Sequence, residues 1–335
     1  MSYDILETMV CKAFEEAQQS VSFSFQGGEP TLAGLSFFQD FIDLVIKYKK
    51  PAIGLHFSIQ TNGINLDDKW CDFFQRYNFL VGLSLDGIQK FHDAQRRDIA
   101  GNATYNTVVG AYRMLREKDV DVNILCVVTG KTTRLAERTY KGLKDLGCRH
   151  LQFIHCLDPV DDIRGGTAHS LLPAQYANFL KTVFDLWYHD WRNDDYCSIR
   201  LFDDYVRILA GLAPSSCATS GQCGSYAVIE ADGNIYPCDF YVASKWKIGN
   251  ITEMSFADAF TSPAMAEFKA LAHKHPAECA TCKWKAICRG GCKRDWVFEE
   301  AKTNNYYCQT FKDFFGYAYD RLKIVADAEK AASRR

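Results

Sequence analysis

"VSFSFQGGEP", residues 21–30, runs from a β-rich segment straight into a glycine pair, a carboxylate and a proline. The short aromatic and β-branched run predicts a strand. Gly27 and Gly28 predict a sharp turn where a ligand can approach the backbone, and Glu29 offers a carboxylate at a turn restrained by Pro30. An amphipathic stretch follows: "LSFFQDFIDLVIKYKK" places Leu35, Phe38, Phe41, Ile42 and Val45 along one helical face. Strand, polar tip and helix therefore form the unit from which the fold is read.

The unit recurs along the next 130 or so residues. "LHFSI" from Leu55, "FLVGLSL" from Phe79, "VNILCVV" from Val122 and "LQFIH" from Leu151 are short runs, mostly apolar on both faces, as expected of parallel strands covered by helices. "YNTVVGAYRMLREKD" and "RLAERTYKGLKDLG" repeat the helical pattern, the second closing on a glycine stop. An α/β fold follows, a (β/α) barrel or part of one, with a doubly wound open sheet as the alternative. The strand ends read "QGGEP", "QTNG", "SLDG", "TG" and "HCLDP", so polar groups and flexible backbone gather where β/α barrels place their active sites. Helices over "PAQYANFLKTVFDLWYHDW" and "SIRLFDDYVRILAGL" complete a first domain, residues 1–212. Beyond it, "APSSCATSGQCGSYAVIEADGNIYPCDF" is rich in Gly, Ser, Cys and Pro, the texture of a loop-dominated domain, residues 213–335, ordered by ligands.

Composition narrows the function classes. Lys plus Arg number 39 against 41 Asp plus Glu in 335 residues, and no long basic run is present, so nucleic acid is a poor candidate partner. The N-terminus reads as an amphipathic helix with early acids, not as an export signal. The longest charge-free stretch, Ile208 to Ile229, is broken by Pro, Gly and polar residues and cannot span a bilayer. The expectation is a cytoplasmic protein without a membrane partner. Fourteen cysteines in such a chain point to metal or redox chemistry, not to disulfides. Six of them, Cys11, Cys71, Cys126, Cys148, Cys156 and Cys197, stand isolated in apolar or helical surroundings and read as packing.

The other eight fall between residues 217 and 308, as two sets of four. Four soft ligands complete either tetrahedral zinc or a cubane iron-sulfur cluster, and pairwise spacing alone leaves both open. The whole series is more specific. Cys217 is followed by Cys223, then nine residues, Gly233, four residues and Cys238; after a gap come Cys279, Cys282, Cys288, Cys292 and Cys308. This order resembles the SPASM domain, which carries two auxiliary 4Fe-4S clusters in radical S-adenosylmethionine (AdoMet) enzymes. With "FQGGEPTL", "QTNG", "SLDG", "FHDAQR" and "FIHCLDP", nearly the whole chain is similar to the anaerobic sulfatase-maturating enzymes. Those oxidise a cysteine or serine of a sulfatase polypeptide to formylglycine.

The resemblance implies ligands and contacts residue by residue. Cys217, Cys223, Cys238 and Cys292 would hold the first auxiliary cluster; Cys279, Cys282, Cys288 and Cys308 the second. AdoMet would meet Gly28 through backbone, Ser84 and Arg96 through polar groups, Leu157 near the adenine, and Gln60 and Asn62 in a lesser role. Without the family, Arg96 reads as a solvated helix charge. Asp239, next to Cys238, would be the general base taking the proton of the substrate thiol or hydroxyl. Reduced ferredoxin or flavodoxin would donate electrons. The family binds a third, radical-generating cluster through a CxxxCxxC loop after the first barrel strand. No such loop occurs here: "VSFSF" is similar to the second strand, and Cys11 has no partner cysteine near it. The expectation is a partial radical SAM barrel lacking its first strand and third cluster, inactive by itself. A maturase of a small ribosomal peptide, and a non-catalytic electron-transfer module, are the rival functions.

Overall fold

The computed structural model describes residues 1–159, 163–272, 274–299 and 302–332. Helix α1 (Tyr3–Glu16) precedes an alternation of β1 (Ser20–Phe25), α2 (Leu35–Tyr48), β2 (Gly54–Thr61), α3 (Asp68–Arg76), β3 (Phe79–Ser84), α4 (Gln89–Gln95), α5 (Tyr105–Glu117), β4 (Val122–Val128), α6 (Ala136–Asp145), β5 (His150–His155), α7 (Pro173–Arg192), β6 (Ser198–Ile199) and α8 (Arg200–Ala210). The strands form one sheet in the order β1-β2-β3-β4-β5-β6. The pairs β1–β2, β4–β5 and β5–β6 are parallel. Each strand neighbours the next in sequence, without the reversal that defines a doubly wound sheet, so the winding is of the β/α-barrel kind. Strand β6, only two residues long, was too short to register as a periodic run.

The chain packs as two compact units. The first comprises residues 1–82, 111–122 and 222–274; the second comprises 83–110, 123–221 and 275–335. Each draws on both the amino-terminal and the cysteine-rich part of the sequence. In the first unit the core is aromatic: Phe23 meets Phe41 at 5.1 Å, Phe38 meets Trp70 at 5.3 Å and Phe57 stacks on Phe79 at 5.1 Å between ring centroids. Such rings bury large apolar areas and add edge-to-face attraction. Unlike the mostly apolar runs that follow it, β1 has one polar face. Ser20, Ser22 and Ser24 lie exposed on the face opposite buried Phe23, because a period of two puts all three serines on one side. Ser24 bonds Ser58 of β2, hydroxyl to hydroxyl, at 2.6 Å.

The first unit also holds β7 (Val228–Ile229), β8 (Asn234–Tyr236) and β9 (Gly249–Asn250), an antiparallel sheet, with α10 (Phe256–Thr261) and α11 (Pro263–Ala272). Helix α1 grips this region. Lys12 Nζ donates to the carbonyls of Ile251 and Met254 at 2.6 and 3.0 Å, and the Glu16 carboxylate accepts from the N–H groups of Phe256 and Ala257 at 2.8 and 2.6 Å. Those N–H groups open α10 and have no partner inside it.

The second unit contains the short helices α9 (Cys217–Ser220) and α12 (Lys285–Cys288), the hairpin β10 (Trp296–Glu299) and β11 (Lys302–Asn305), and α13 (Cys308–Ala332). Phe184 of α7 packs between Phe202 of α8 and Phe314 of α13, at 5.4 and 5.6 Å. The helix that begins at Cys308 is thereby fixed on the barrel's closing helices.

Candidate active site and cluster-binding segments

In the first unit the tips of β1 and β2 are joined by one carboxylate. Glu29 Oε1 accepts from Thr31 N at 3.1 Å and from the Thr31 and Thr61 hydroxyls at 2.7 Å, while Oε2 accepts from Asn62 N at 2.7 Å. The side chain that looked like a free carboxylate in the sequence is a strut. Gly28 has φ +56, a left-handed conformation, and a Cβ there would meet nothing within 4 Å. The backbone thus faces open space. Gln60 is exposed, whereas Asn62 turns its carbonyl oxygen back to Ile64 N at 2.8 Å and caps its own turn.

Also in the first unit, Asp239 follows Cys238 into a 3₁₀ turn and is half-buried. Its Oδ1 accepts from the Tyr226 hydroxyl at 2.6 Å; the same hydroxyl lies 3.4 Å from Cys238 Sγ. Burial pushes the Cys238 thiol up to about 12. That thiol therefore needs a cationic centre to become a thiolate. Cys223 lies in this unit too, while Cys217 and Cys292 belong to the second.

In the second unit, Ser84 ends β3 half-buried and its hydroxyl makes no hydrogen bond among the described residues. Arg96 is not a solvated charge. Its Nε donates to Asp86 Oδ2 at 2.6 Å and its Nη2 to Oδ1 at 3.3 Å, and Asp86 is 3% exposed. Asp86 Oδ1 accepts Val127 N at 2.8 Å as well, which locks the "SLDG" tip to β4. Leu157 sits half-buried after β5, held between two anchors. Cys156 N donates to Val128 O at 2.8 Å, and the Asp158 carboxylate accepts Gly165 N at 2.9 Å and the Ser170 hydroxyl. Just before it, His155 Nε2 meets buried Asp295 at 2.7 Å, tying the β5 tip to the segment that follows Cys292. A cavity of about 400 Å³ opens beside the β4 tip, with Lys131 and Arg134 on its wall. Gly130 is obligatory there, since a Cβ would stand 2.5 Å from Ser170 O.

Cys217 is anchored by a carboxylate that the sequence did not single out. Asp204, 1% exposed on α8, accepts Ser215 N at 2.6 Å, the Ser216 hydroxyl at 2.9 Å and the Thr219 hydroxyl at 2.6 Å. The turn carrying Cys217 hangs from these three bonds.

Cys279, Cys282, Cys288 and Cys308 line one cavity in the second unit, against Trp284, Phe311 and Phe315 and beside Lys285 and Lys312. Burial raises the thiol pKa of Cys279 and Cys308 and pushes Cys288 up to about 11. Among the described residues no three His, Cys, Asp or Glu side chains are placed to hold a single metal ion. Four soft donors around one enclosure have the donor chemistry of an iron-sulfur cluster, whose positive charge would stabilise the thiolates.

Comparison with known proteins decides the family. Residues 7–151 match the radical SAM superfamily and residues 217–283 an iron-sulfur cluster-binding domain, SPASM. The cysteine-type anaerobic sulfatase-maturating enzyme of Clostridium perfringens is 43% identical over 329 residues, 98% of this chain and 89% of that one. The chain belongs to the anaerobic sulfatase-maturating enzymes. A serine-type enzyme of this family from Bacteroides thetaiotaomicron is 28% identical over 94% of this chain and 80% of its own. A solved structure of native anSMEcpe with bound AdoMet and Kp18Cys peptide superposes with a TM-score of 0.95 at 43% identity, covering 98% of this chain and 91% of that one.

As a radical SAM maturase with a SPASM domain, the protein is an oxidoreductase that binds AdoMet and iron-sulfur clusters. No helix among the described residues is long and apolar enough to cross a membrane. Of the six cysteines read as packing, Cys71, Cys126, Cys148 and Cys197 are 2% exposed or less; Cys11 and Cys156 are half-buried. Glu29's strut, Asp86, His92, Asp204 and Tyr226 escaped the sequence reading. Only proximity to "SLDG", "FHDAQR" and Cys238 could have drawn attention to three of them.

Proposed function

We propose that this protein oxidises the active-site cysteine of a sulfatase polypeptide to Cα-formylglycine once a radical-generating cluster is supplied, since residues 1–335 carry no CxxxCxxC loop of their own and would be inactive alone. The observation that carries this reading is the enclosure of Cys279, Cys282, Cys288 and Cys308 in a chain 43% identical, over nearly its full length, to a cysteine-type enzyme. Lower identity to the serine-type relative, 28%, favours a thiol substrate over a hydroxyl. Reduced ferredoxin or flavodoxin is the proposed electron donor.

The enclosure would hold one auxiliary 4Fe-4S cluster, and Cys217, Cys223, Cys238 and Cys292 the other. When bound, AdoMet and a radical-generating cluster, for which residues 1–335 carry no CxxxCxxC loop, would supply one-electron hydrogen abstraction, and the auxiliary clusters an acceptor for the electron left on the substrate. The protein's own residues do the rest. Gly28, Gln60 and Asn62 of the first unit, and Ser84, Arg96 and Leu157 of the second, are the proposed AdoMet contacts. Gly28 offers unobstructed backbone, Ser84 a hydroxyl with no hydrogen bond among the described residues, and Arg96 a guanidinium already oriented by Asp86. Asp239 acts as the base. Tyr226 occupies Oδ1 and orients the carboxylate, so Oδ2 is the oxygen that takes the substrate proton.

Asp239→Asn tests the assignment. In a form that also carries the radical-cluster loop, it is expected to retain both auxiliary clusters and AdoMet cleavage and to lose formylglycine formation on a sulfatase peptide. Substrate oxidation at the parent rate by Asp239→Asn would remove Asp239 from the mechanism.

A further inference from the structure

Asp86 and Arg96 are held by more than their own ion pair. Between them in sequence lies His92, fully buried. Its Nδ1 accepts Asp86 N at 3.2 Å, which places the ring proton on Nε2; Nε2 donates to Thr104 Oγ1 at 3.0 Å. Thr104 Oγ1 in turn donates to Arg96 O at 2.9 Å. The imidazole therefore bridges the backbone of Asp86 to that of Arg96 and fixes the span across which carboxylate and guanidinium pair. Thr104 is itself fixed, because the Asp93 carboxylate accepts Thr104 N at 3.1 Å and Tyr105 N at 2.9 Å. The Arg96 side chain is 27% exposed, and with Nε and Nη2 on Asp86 the guanidinium's remaining nitrogen, Nη1, has no hydrogen bond among the described residues. A fixed guanidinium edge recognises a carboxylate with little ordering cost.

We propose that His92 is a positioning residue for AdoMet recognition, setting Arg96 so that Nη1 receives the AdoMet carboxylate, the ligand's one anionic group. The inference rests on the reading of Arg96 as an AdoMet contact. It predicts that the histidine acts on one end of the ligand only. The adenosine end, which carries no carboxylate, is indifferent to it.

The test compares AdoMet with 5′-methylthioadenosine, which keeps the adenosine and lacks the amino-acid tail, by equilibrium dialysis against the full chain. His92→Phe keeps a flat aromatic ring, somewhat larger, and removes both hydrogen bonds; Thr104→Val interrupts the same bridge without touching the ring or adding volume. Each is expected to raise the AdoMet Kd roughly tenfold, while the 5′-methylthioadenosine Kd moves by less than about twofold. Arg96→Gln should show the same selectivity, and His92→Phe combined with Arg96→Gln should cost no more than Arg96→Gln alone, because the histidine acts through the arginine. Equal weakening of both ligands by His92→Phe and Thr104→Val overturns the proposal in favour of general loosening. If Arg96→Gln weakens AdoMet selectively and neither bridge variant does, the positioning role alone fails. If Arg96→Gln leaves AdoMet binding unchanged, or the parent chain binds no AdoMet, the reading of Arg96 fails and takes the inference with it.

Discussion

Asp204→Ala is the substitution whose cost follows most plainly from the geometry. The carboxylate is 1% exposed and accepts three hydrogen bonds, from Ser215 N, Ser216 Oγ and Thr219 Oγ1, all at 2.6–2.9 Å. Alanine leaves three donors without their acceptor. Bonds to a charged acceptor contribute about 1.5–3 kcal/mol each, and removing the charge also removes its own burial penalty, so the net loss is about 3–5 kcal/mol. Asparagine keeps one acceptor oxygen for Ser215 N, and the two hydroxyls can rotate to accept from its NH₂; the cost falls to about 1–2 kcal/mol. Urea unfolding at neutral pH, followed by tryptophan fluorescence, measures both. The turn that carries Cys217 should also loosen, so anaerobically reconstituted Asp204→Ala should lose about four irons while keeping the four held by the Cys279 set. Asp204→Ala within about 0.5 kcal/mol of the parent would rule out the anchoring role. So would equal costs for alanine and asparagine, since burial of charge and not bonding would then set the stability.

Three further outcomes follow from individual groups. Burial depresses the His92 pKa, so below the ordinary histidine value near 6.5 the unfolded chain takes up a proton that the folded chain resists. Stability is therefore whole above that pH and declines as pH falls through and below it; His92→Phe should flatten this part of the urea-midpoint profile, and an unchanged profile would count against it. Gly28→Ala should destabilise by about 1 kcal/mol from its left-handed φ of +56 alone, because the new methyl meets no neighbour; a much larger loss would mean the site is crowded. Tyr226→Phe removes the bond that fixes Asp239 Oδ1, and in a form that also carries the radical-cluster loop should lower the rate of peptide oxidation without changing iron content; loss of iron would assign Tyr226 to Cys238 instead.

The fold was legible where hydrophobic period and turn chemistry coincide. All five strands read from the sequence are present, from β1 at Ser20–Phe25 to β5 at His150–His155, and so are the helices between them. The open serine face of β1 was not read, because its phenylalanines dominated the pattern while alternation put the serines outside. The cysteine series was legible as chemistry, since closely spaced thiols in polar, glycine-rich loops have little apolar packing to do and are suited to ligation. The carboxylates were not. Glu29, Asp86 and Asp204 are single letters in the sequence, yet each satisfies donors from segments far away along the chain, and burial of that kind is a property of the packed structure. Arg96 shows the same limit from the other side: a charge in "AQRR" carries no mark of the buried Asp86 that pairs with it.

Eight thiols between residues 217 and 308, proposed to hold a pair of iron cubanes, underlie the whole proposed chemistry. Iron, acid-labile sulfide and zinc should therefore be quantified on anaerobically reconstituted protein. About eight irons and eight sulfides per chain are expected, with those of the second set, about four of each, lost in Cys288→Ser. A colourless protein carrying tetrahedral zinc and no sulfide would overturn the cluster assignment and the oxidation chemistry built on it.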